Sequence, residues 1–201
     1  MGGTHAETIA PTMASPTPVQ LRLQPHPATP CAAVDGLRVE LRPLPHGGLC
    51  VVYQLTGALS GLALPAPAPA PAATDGLWRH TCLEAFIAPD PGTTYAEFNF
   101  SPSGDWARYA FNAERVRAPS SPPVPAPQIA TGQNARTLTL TATLAADALP
   151  ATADGAAALL GLSAVIEALD GSLSYWALAH PAATPDFHAR AGWTARLPTI
   201  A

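Results

Sequence analysis

Most of the chain is patterned in period two. Val19 to Gln24 (VQLRLQ) alternates apolar and polar residues, so successive side chains point to opposite faces of a half-buried strand. Val34 to Leu41 (VDGLRVEL) and Leu49 to Thr56 (LCVVYQLT) repeat the pattern on either side of a Pro-His-Gly-Gly turn. Thr81 to Ala88, Thr94 to Pro102 and Asp105 to Asn112 follow. The last two are joined by Ser101-Pro102-Ser103-Gly104, whose proline and glycine suit a tight hairpin. The cleanest alternation is Arg136 to Leu144, with Leu138, Leu140, Ala142 and Leu144 on one face and Thr137, Thr139, Thr141 and Thr143 on the other. Leu160 to Ala168 and Leu173 to His180 form a last pair across the hairpin dipeptide Asp170-Gly171. Only Ala145 to Ala158 offers a helix, and Pro150, Asp154 and Gly155 limit it to a turn or two. Residues 181–201 look irregular.

Two proline-rich stretches interrupt this pattern. Residues 65–72 spell PAPAPAPA, in which every second residue lacks an N–H. This predicts a stiff polyproline-type loop outside the sheet ladder. Residues 118–127 (APSSPPVPAP) form the second such loop. Strand patterns continue on both sides of each, so neither marks a domain boundary. There is no internal repeat and no βαβ alternation. The reading is all-β, an antiparallel two-sheet β-sandwich with at most two short helices. It occupies residues 18–198 after a disordered leader over 1–17, in which Met13 is an alternative start. Phe86, Phe98, Phe100, Leu138 and Leu140 are expected in its core.

Composition narrows the function classes. The 201 residues fit one domain of ordinary size, and 24 prolines and 15 glycines agree with many turns. The net charge is -4, every basic residue is Arg, and the ten arginines are scattered. A phosphate backbone needs a concentrated basic face, so nucleic acid is not an expected partner. No apolar run approaches the ~20 residues that span a bilayer, and no membrane role is expected. The N-terminus lacks the basic and apolar regions of a secretory signal, which predicts a cytoplasmic protein. Cys31, Cys50 and Cys82 are odd in number and have no short spacing. They read as reduced thiols, not as a disulfide framework or a zinc site.

The densest chemistry lies between Leu77 and Tyr109, which carries two Trp, two Tyr, two Glu and an Asn. On the strand YAEFNFS, Ala96, Phe98 and Phe100 share one face while Tyr95, Glu97, Asn99 and Ser101 share the other. That second row serves either as a polar floor beneath a ligand or as a solvated outer sheet face. Of the four tryptophans, Trp78 and Trp176 have polar neighbours: Arg79 and His80 beside the first, Tyr175 and His180 near the second. Each either stacks on a ligand ring or fills the core. Ligand-binding candidates are therefore Trp78, Arg79, Glu97, Asn99, Trp176 and His180. Glu84 and Glu97 on neighbouring strands raise the alternative of a glycoside-processing enzyme, since such enzymes hold paired acids about 5 to 9 Å apart. His180, Asp186 and His188 match no trusted metal-ligand spacing, so no metal or other cofactor is expected. There is no nucleophile elbow, CxxC pair, phosphate loop or dinucleotide fingerprint.

The segment from Trp78 to Trp106 resembles the bacterial DOMON-like domains related to family-9 carbohydrate-binding modules. The likeness rests on Trp78, on Glu84 with Phe86, on Tyr95 to Asn99, and on the Ser101 to Trp106 turn. Residues 174–188 (SYWALAHPAATPDFH) also resemble this group. The resemblance implies a β-sandwich that binds a sugar or, in other branches, haem. Haem is disfavoured here because both methionines, Met1 and Met13, lie in the leader. Some relatives are associated with an enzyme of peptidoglycan precursor synthesis, which adds amino sugars to the ligands implied. The expected function is a non-catalytic module binding a saccharide or similar small polar molecule. The alternatives are the glycoside-processing enzyme and a protein-interaction module that docks through its proline-rich loops.

Overall fold

A computed structural model describes residues 17–120, 123–152 and 157–197. The leader expected over 1–17, including Met13, lies almost wholly outside the described residues. Among the described residues, twelve strands carry the architecture. They are β1 (Val19–Pro25), β2 (Val34–Pro43), β3 (Leu49–Gly57), β4 (Cys82–Pro89), β5 (Tyr95–Phe100) and β6 (Trp106–Ala113). There follow β7 (Val116–Arg117), β8 (Gln128–Gln133), β9 (Thr137–Leu144), β10 (Ala158–Glu167), β11 (Leu173–Ala177) and β12 (Ala195–Leu197).

The hydrogen-bonded order is β7-β6-β5-β4-β10-β11-β1-β2-β3-β9-β8, with β12 paired to β10. Named strands pair antiparallel throughout. This corrects the expectation of two separate sheets, because β1 belongs to both halves. Its residues Val19 to Leu23 pair with β2, while Gln24 and Pro25 pair with β11. One strand thus carries the ladder across the corner, and the strands form one sheet.

The two halves nevertheless share a core. Val39, Leu41, Val51, Leu138 and Leu140 from one half cluster with Leu83, Ile87, Phe98, Phe100, Leu160 and Leu162 from the other. The period-two pattern explains this, since each strand sends alternate apolar side chains inward. Buried Tyr53 on β3 ties the halves together, its hydroxyl donating to the Glu84 carbonyl on β4 at 2.6 Å. Phe86, Phe98, Phe100, Leu138 and Leu140 are all buried as expected, four in this core and Phe86 in a second cluster on the opposite face of β4.

Three further strands were not apparent in the pattern: β7, β8 and β12. Of the helix expected over Ala145 to Ala158, residues 153–156 lie outside the described residues; among the others there is a single 3-10 turn at Ala146–Ala148, and Ala158 already opens β10. The PAPAPAPA loop is not free of the sheet. Its alanines keep their N–H groups, and Ala68 N–H donates to Ser103 O at 2.8 Å. Ala72 N–H donates to Asp105 Oδ1 at 2.9 Å, and Trp106 N–H to Ala72 O at 3.1 Å. Alternating proline leaves one donor in two, enough to lash the loop beside β6.

Cys31, Cys50 and Cys82 are free thiols, the last two buried. A thiol titration of the unfolded, unreduced chain should count three; a count of one would reveal a disulfide.

Candidate functional site

The outward faces of β4, β5, β6, β10 and β11 are partly covered. Residues 181–194 cross them as a strap, anchored by a second apolar cluster of Phe86, Ala88, Tyr95, Phe111 and Trp193. Tyr95 stacks on Phe111 at 4.5 Å, and Phe86 on Trp193 at 5.5 Å. Gly161 on β10 makes room for the strap: a Cβ there would lie 2.2 Å from Trp193 Cδ1. Trp193 Nε1–H in turn donates to Phe187 O at 2.8 Å. The next part of the strap, Asp186 to His188, is thereby held over β5.

Beside the strap opens a cleft of about 600 Å³. Its floor holds Glu84 of β4 and Glu97 of β5, which alternation and the register Phe86↔Glu97 put on one face. Asn99 Nδ2–H donates to Glu97 Oε1 at 2.8 Å, and Ser163 Oγ–H to Glu84 Oε2 at 3.0 Å. Burial pushes the Glu84 carboxyl well above the usual carboxylate range, and the neighbouring Glu97 pushes it further. Burial likewise raises Glu97 to about 7, against the opposing pull of the Asn99 hydrogen bond and of Arg117.

His188 stands over this pair, with Nε2 3.7 Å from Glu97 Oε2. Burial, with help from Arg115, lowers its imidazolium to about 4, so the ring is neutral near neutral pH. The Tyr95 hydroxyl accepts the Arg115 N–H at 3.1 Å and lies 2.7 Å from His188 Nδ1. Tyrosine then donates to Nδ1, which leaves the imidazole proton on Nε2, facing Glu97. Arg115 holds a left-handed backbone (φ 58) and its guanidinium donates to Asp186 at 2.6 Å. A non-glycine residue in that conformation is strained, and strain of this kind collects at functional sites.

The mouth is built by the segment before β4. Gly76 adopts φ 78, a conformation that favours glycine, and its N–H donates to the Tyr109 hydroxyl at 3.2 Å. The 3-10 turn Leu77–Arg79 follows and presents Trp78, which is 47% exposed, with the Arg79 guanidinium 5.2 Å from the indole centroid. Tyr109 donates to Asp75, whose carboxyl this bond and Arg117 hold below its usual range. The Arg117 guanidinium lies 4.0 Å from the Tyr109 ring centroid. Burial, with the Asp75 bond, raises the Tyr109 phenol to about 12.

Of the residues singled out in the sequence, Trp78, Arg79 and Glu97 line this cleft. Asn99 is fully buried behind it and orients Glu97. Trp176 does not meet Trp78: it is buried in the main core, and its Nε1–H donates to Ser174 Oγ at 2.9 Å. The physical reason is alternation. Polar Tyr175 next to it on the strand faces the opposite side and lines the cleft instead. His180 lies elsewhere, with Nε2–H donating to Gln24 O at 2.8 Å and its ring 4.8 Å from His26. It is therefore remote from His188, and among the described residues no group of three His, Cys, Asp or Glu could hold a metal. The row on β5, expected as either floor or solvated face, is buried throughout.

Sequence reasoning missed Asp75, Tyr109, Phe111, Arg115, Arg117, Pro185 and Phe187, and it weighed Tyr175 only as a neighbour of Trp176 and Asp186 and His188 only as metal ligands; all of them line the cleft. Tyr109 was within reach, because two-residue spacing places Ala107, Tyr109 and Phe111 on one face of β6. The strap carried no periodic signal.

No family profile matches the chain, and no curated protein matches it. Among solved structures, it is similar to a proposed carbohydrate-binding protein from Bacteroides uniformis ATCC 8492. The TM-score is 0.59 at 14% identity, with 86% of this chain and 84% of that chain covered. That likeness shows a shared all-β fold.

Proposed function

We propose that the cleft binds a saccharide or similar small polar molecule without chemically changing it. The observation that carries this reading is the cleft itself. An open cavity of about 600 Å³ joins a half-exposed indole, two tyrosines and deep carboxyls. Flat rings stack on the C–H faces of a pyranose, and fixed carboxyl and guanidinium groups take its hydroxyls. The fold shared with a proposed carbohydrate-binding protein supports the same reading. In it Trp78 and Tyr109 stack on the ligand, Arg79 and Glu97 hydrogen-bond it, and Asn99 fixes Glu97. A cytoplasmic setting remains part of this proposal, with the three cysteines kept reduced there.

The state of the carboxyls favours binding over glycoside hydrolysis. Hydrolysis divides labour between a protonated acid and an ionised partner, which requires environments that push two pKa values apart. Here burial pushes both Glu84 and Glu97 upward, so their environments shift the two acids the same way and not apart.

Calorimetric titration with mono- and disaccharides, amino sugars included, tests the reading. Trp78→Ala should weaken binding by roughly tenfold or more, the worth of one desolvated stacking ring. Trp176→Phe, in the core, should leave affinity within about twofold once folding is confirmed. Absence of any binding at millimolar sugar, or a Trp78→Ala affinity equal to wild type, refutes the carbohydrate reading.

A further inference from the structure

We infer that the floor of the cleft seats an ammonium group, so that the site prefers ligands carrying a free amine over their neutral counterparts. The inference rests on the cleft being the ligand site and goes further by naming the charge that the ligand brings.

The argument begins with two carboxyls buried side by side. Glu84 is 3% exposed and Glu97 6%. Each has one oxygen accepting a hydrogen bond, from Ser163 and Asn99 respectively. Among the described residues no side chain donates to Glu84 Oε1, and His188 Nε2 stands 3.7 Å from Glu97 Oε2, too far for a hydrogen bond. Neither acid has a lysine or arginine within ion-pair reach among the described residues, which is unusual, since buried acids are normally paired. Both line the open cleft. A cation entering it meets the partner that the protein does not supply.

The walls favour the same visitor. Trp78, Phe86, Tyr109, Phe111, Tyr175 and Phe187 all line the cleft. Aromatic faces attract cations, and the attraction grows as water is excluded. An ammonium has three donors, enough for both free carboxyl oxygens and one further acceptor.

Of the other titratable groups around the pair, Arg117 pulls on Glu97 from beyond ion-pair reach, and the rest leave the vacancy unfilled. Cys82 behind it is kept a thiol by burial. Tyr95 and Tyr109 have raised phenols and His188 a lowered imidazolium, so all three are neutral near pH 7. At the mouth Arg115 pairs with Asp186 at 2.6 Å and Arg117 lies 3.9 Å from Asp75. Arg79 lies over Trp78. Those groups meet solvent and are screened by salt; the floor is not.

Seating an ammonium favours the ionised carboxyls, so protons held by the pair pass to the buffer on binding. The experiment titrates the intact chain with D-glucosamine, D-glucose, N-acetyl-D-glucosamine and cyclohexylamine near pH 7 in two buffers of different ionisation enthalpy. D-glucosamine should bind at least about tenfold more tightly than the two neutral sugars, with a heat that depends on the buffer. Glu97→Gln and, separately, Glu84→Gln should shrink that ratio and the buffer dependence. Because the ligand comparison is made on the wild-type chain, it stands even if a variant fails to fold. Equal affinity for all three sugars overturns the ammonium inference and leaves the carbohydrate reading intact. Binding of cyclohexylamine with no sugar bound does the reverse. No binding of any probe overturns both.

Discussion

Phe98→Ala should destabilise the protein by about 3 to 5 kcal/mol, the range for a large aromatic deleted from a well-packed core. Phe98 is fully buried at the middle of β5. Its ring lies 6.3 Å from that of Phe100, which is likewise fully buried. Leucines from both halves of the sheet pack in the same cluster, so neighbours cannot collapse into the void without shifting β-ladders. Deletion therefore adds a cavity to the lost transfer energy. Against a total of about 5 to 15 kcal/mol for a typical domain, this is a large fraction. Urea unfolding followed by circular dichroism measures it, with the slope checked for constancy. A loss below about 1 kcal/mol would move Phe98 out of the core. Phe86→Ala offers a contrast. Phe86 is equally buried, but it lies on the cleft side among Tyr95, His188 and Trp193. Its loss should disturb ligand binding as well as stability.

Period two made most of the sheet legible, because a one-residue slip would turn an entire apolar set outward. β9 shows this best: its leucines and threonines separate cleanly, and every inward position is buried. What escaped were strands held by partners and not by their own pattern. β8 (QIATGQ) is a mostly exposed edge strand, β7 has two residues and β12 three. Such segments owe their shape to a neighbouring ladder, which local propensity does not encode. The corner made by β1 is likewise invisible, since the switch from β2 to β11 is a long-range choice. Of the candidates, alternation put Glu97 and Asn99 on one face and polar flanks singled out Trp78; Glu97 and Trp78 line the cleft, with Asn99 buried behind it. Polar flanks misled at Trp176, because strand neighbours face away from each other. The same rule, applied to Tyr175, would have pointed to the cleft. The strap was beyond reach: Gly161, Trp193 and His188 converge only in three dimensions.

Stability should fall as pH rises above about 4.5, and the buried acids should be the cause. An acid whose folded pKa exceeds its unfolded value binds more protons when folded, so it costs stability as pH climbs from the unfolded toward the folded value. Glu97 is raised to about 7 from an ordinary 4.5, and Glu84 is raised well above 4.5. With each unit worth 1.36 kcal/mol, Glu97 alone costs about 3 kcal/mol once fully ionised. His188 works in the opposite sense. Its folded value is lowered to about 4 from 6.5, so its charging penalises the folded state in acid and disappears as pH rises through that window. Partial exposure of the ring makes this smaller than the shift alone suggests. Between about pH 4.5 and 6.5 the single histidine offsets at most one of the two acids, so stability already falls there; above about 6.5 histidine is spent and the acids alone act. Urea midpoints measured near pH 5 and 8.5 should therefore drop for the wild type. Glu97→Gln keeps the amide's hydrogen-bonding shape without a charge to desolvate, and should flatten the drop while raising stability at the higher pH. Glu84→Gln should act in the same direction. A wild-type midpoint that is flat or rises over this range, or a Gln variant less stable than wild type near pH 8.5, would show that solvent or a hidden counter-charge already satisfies the pair.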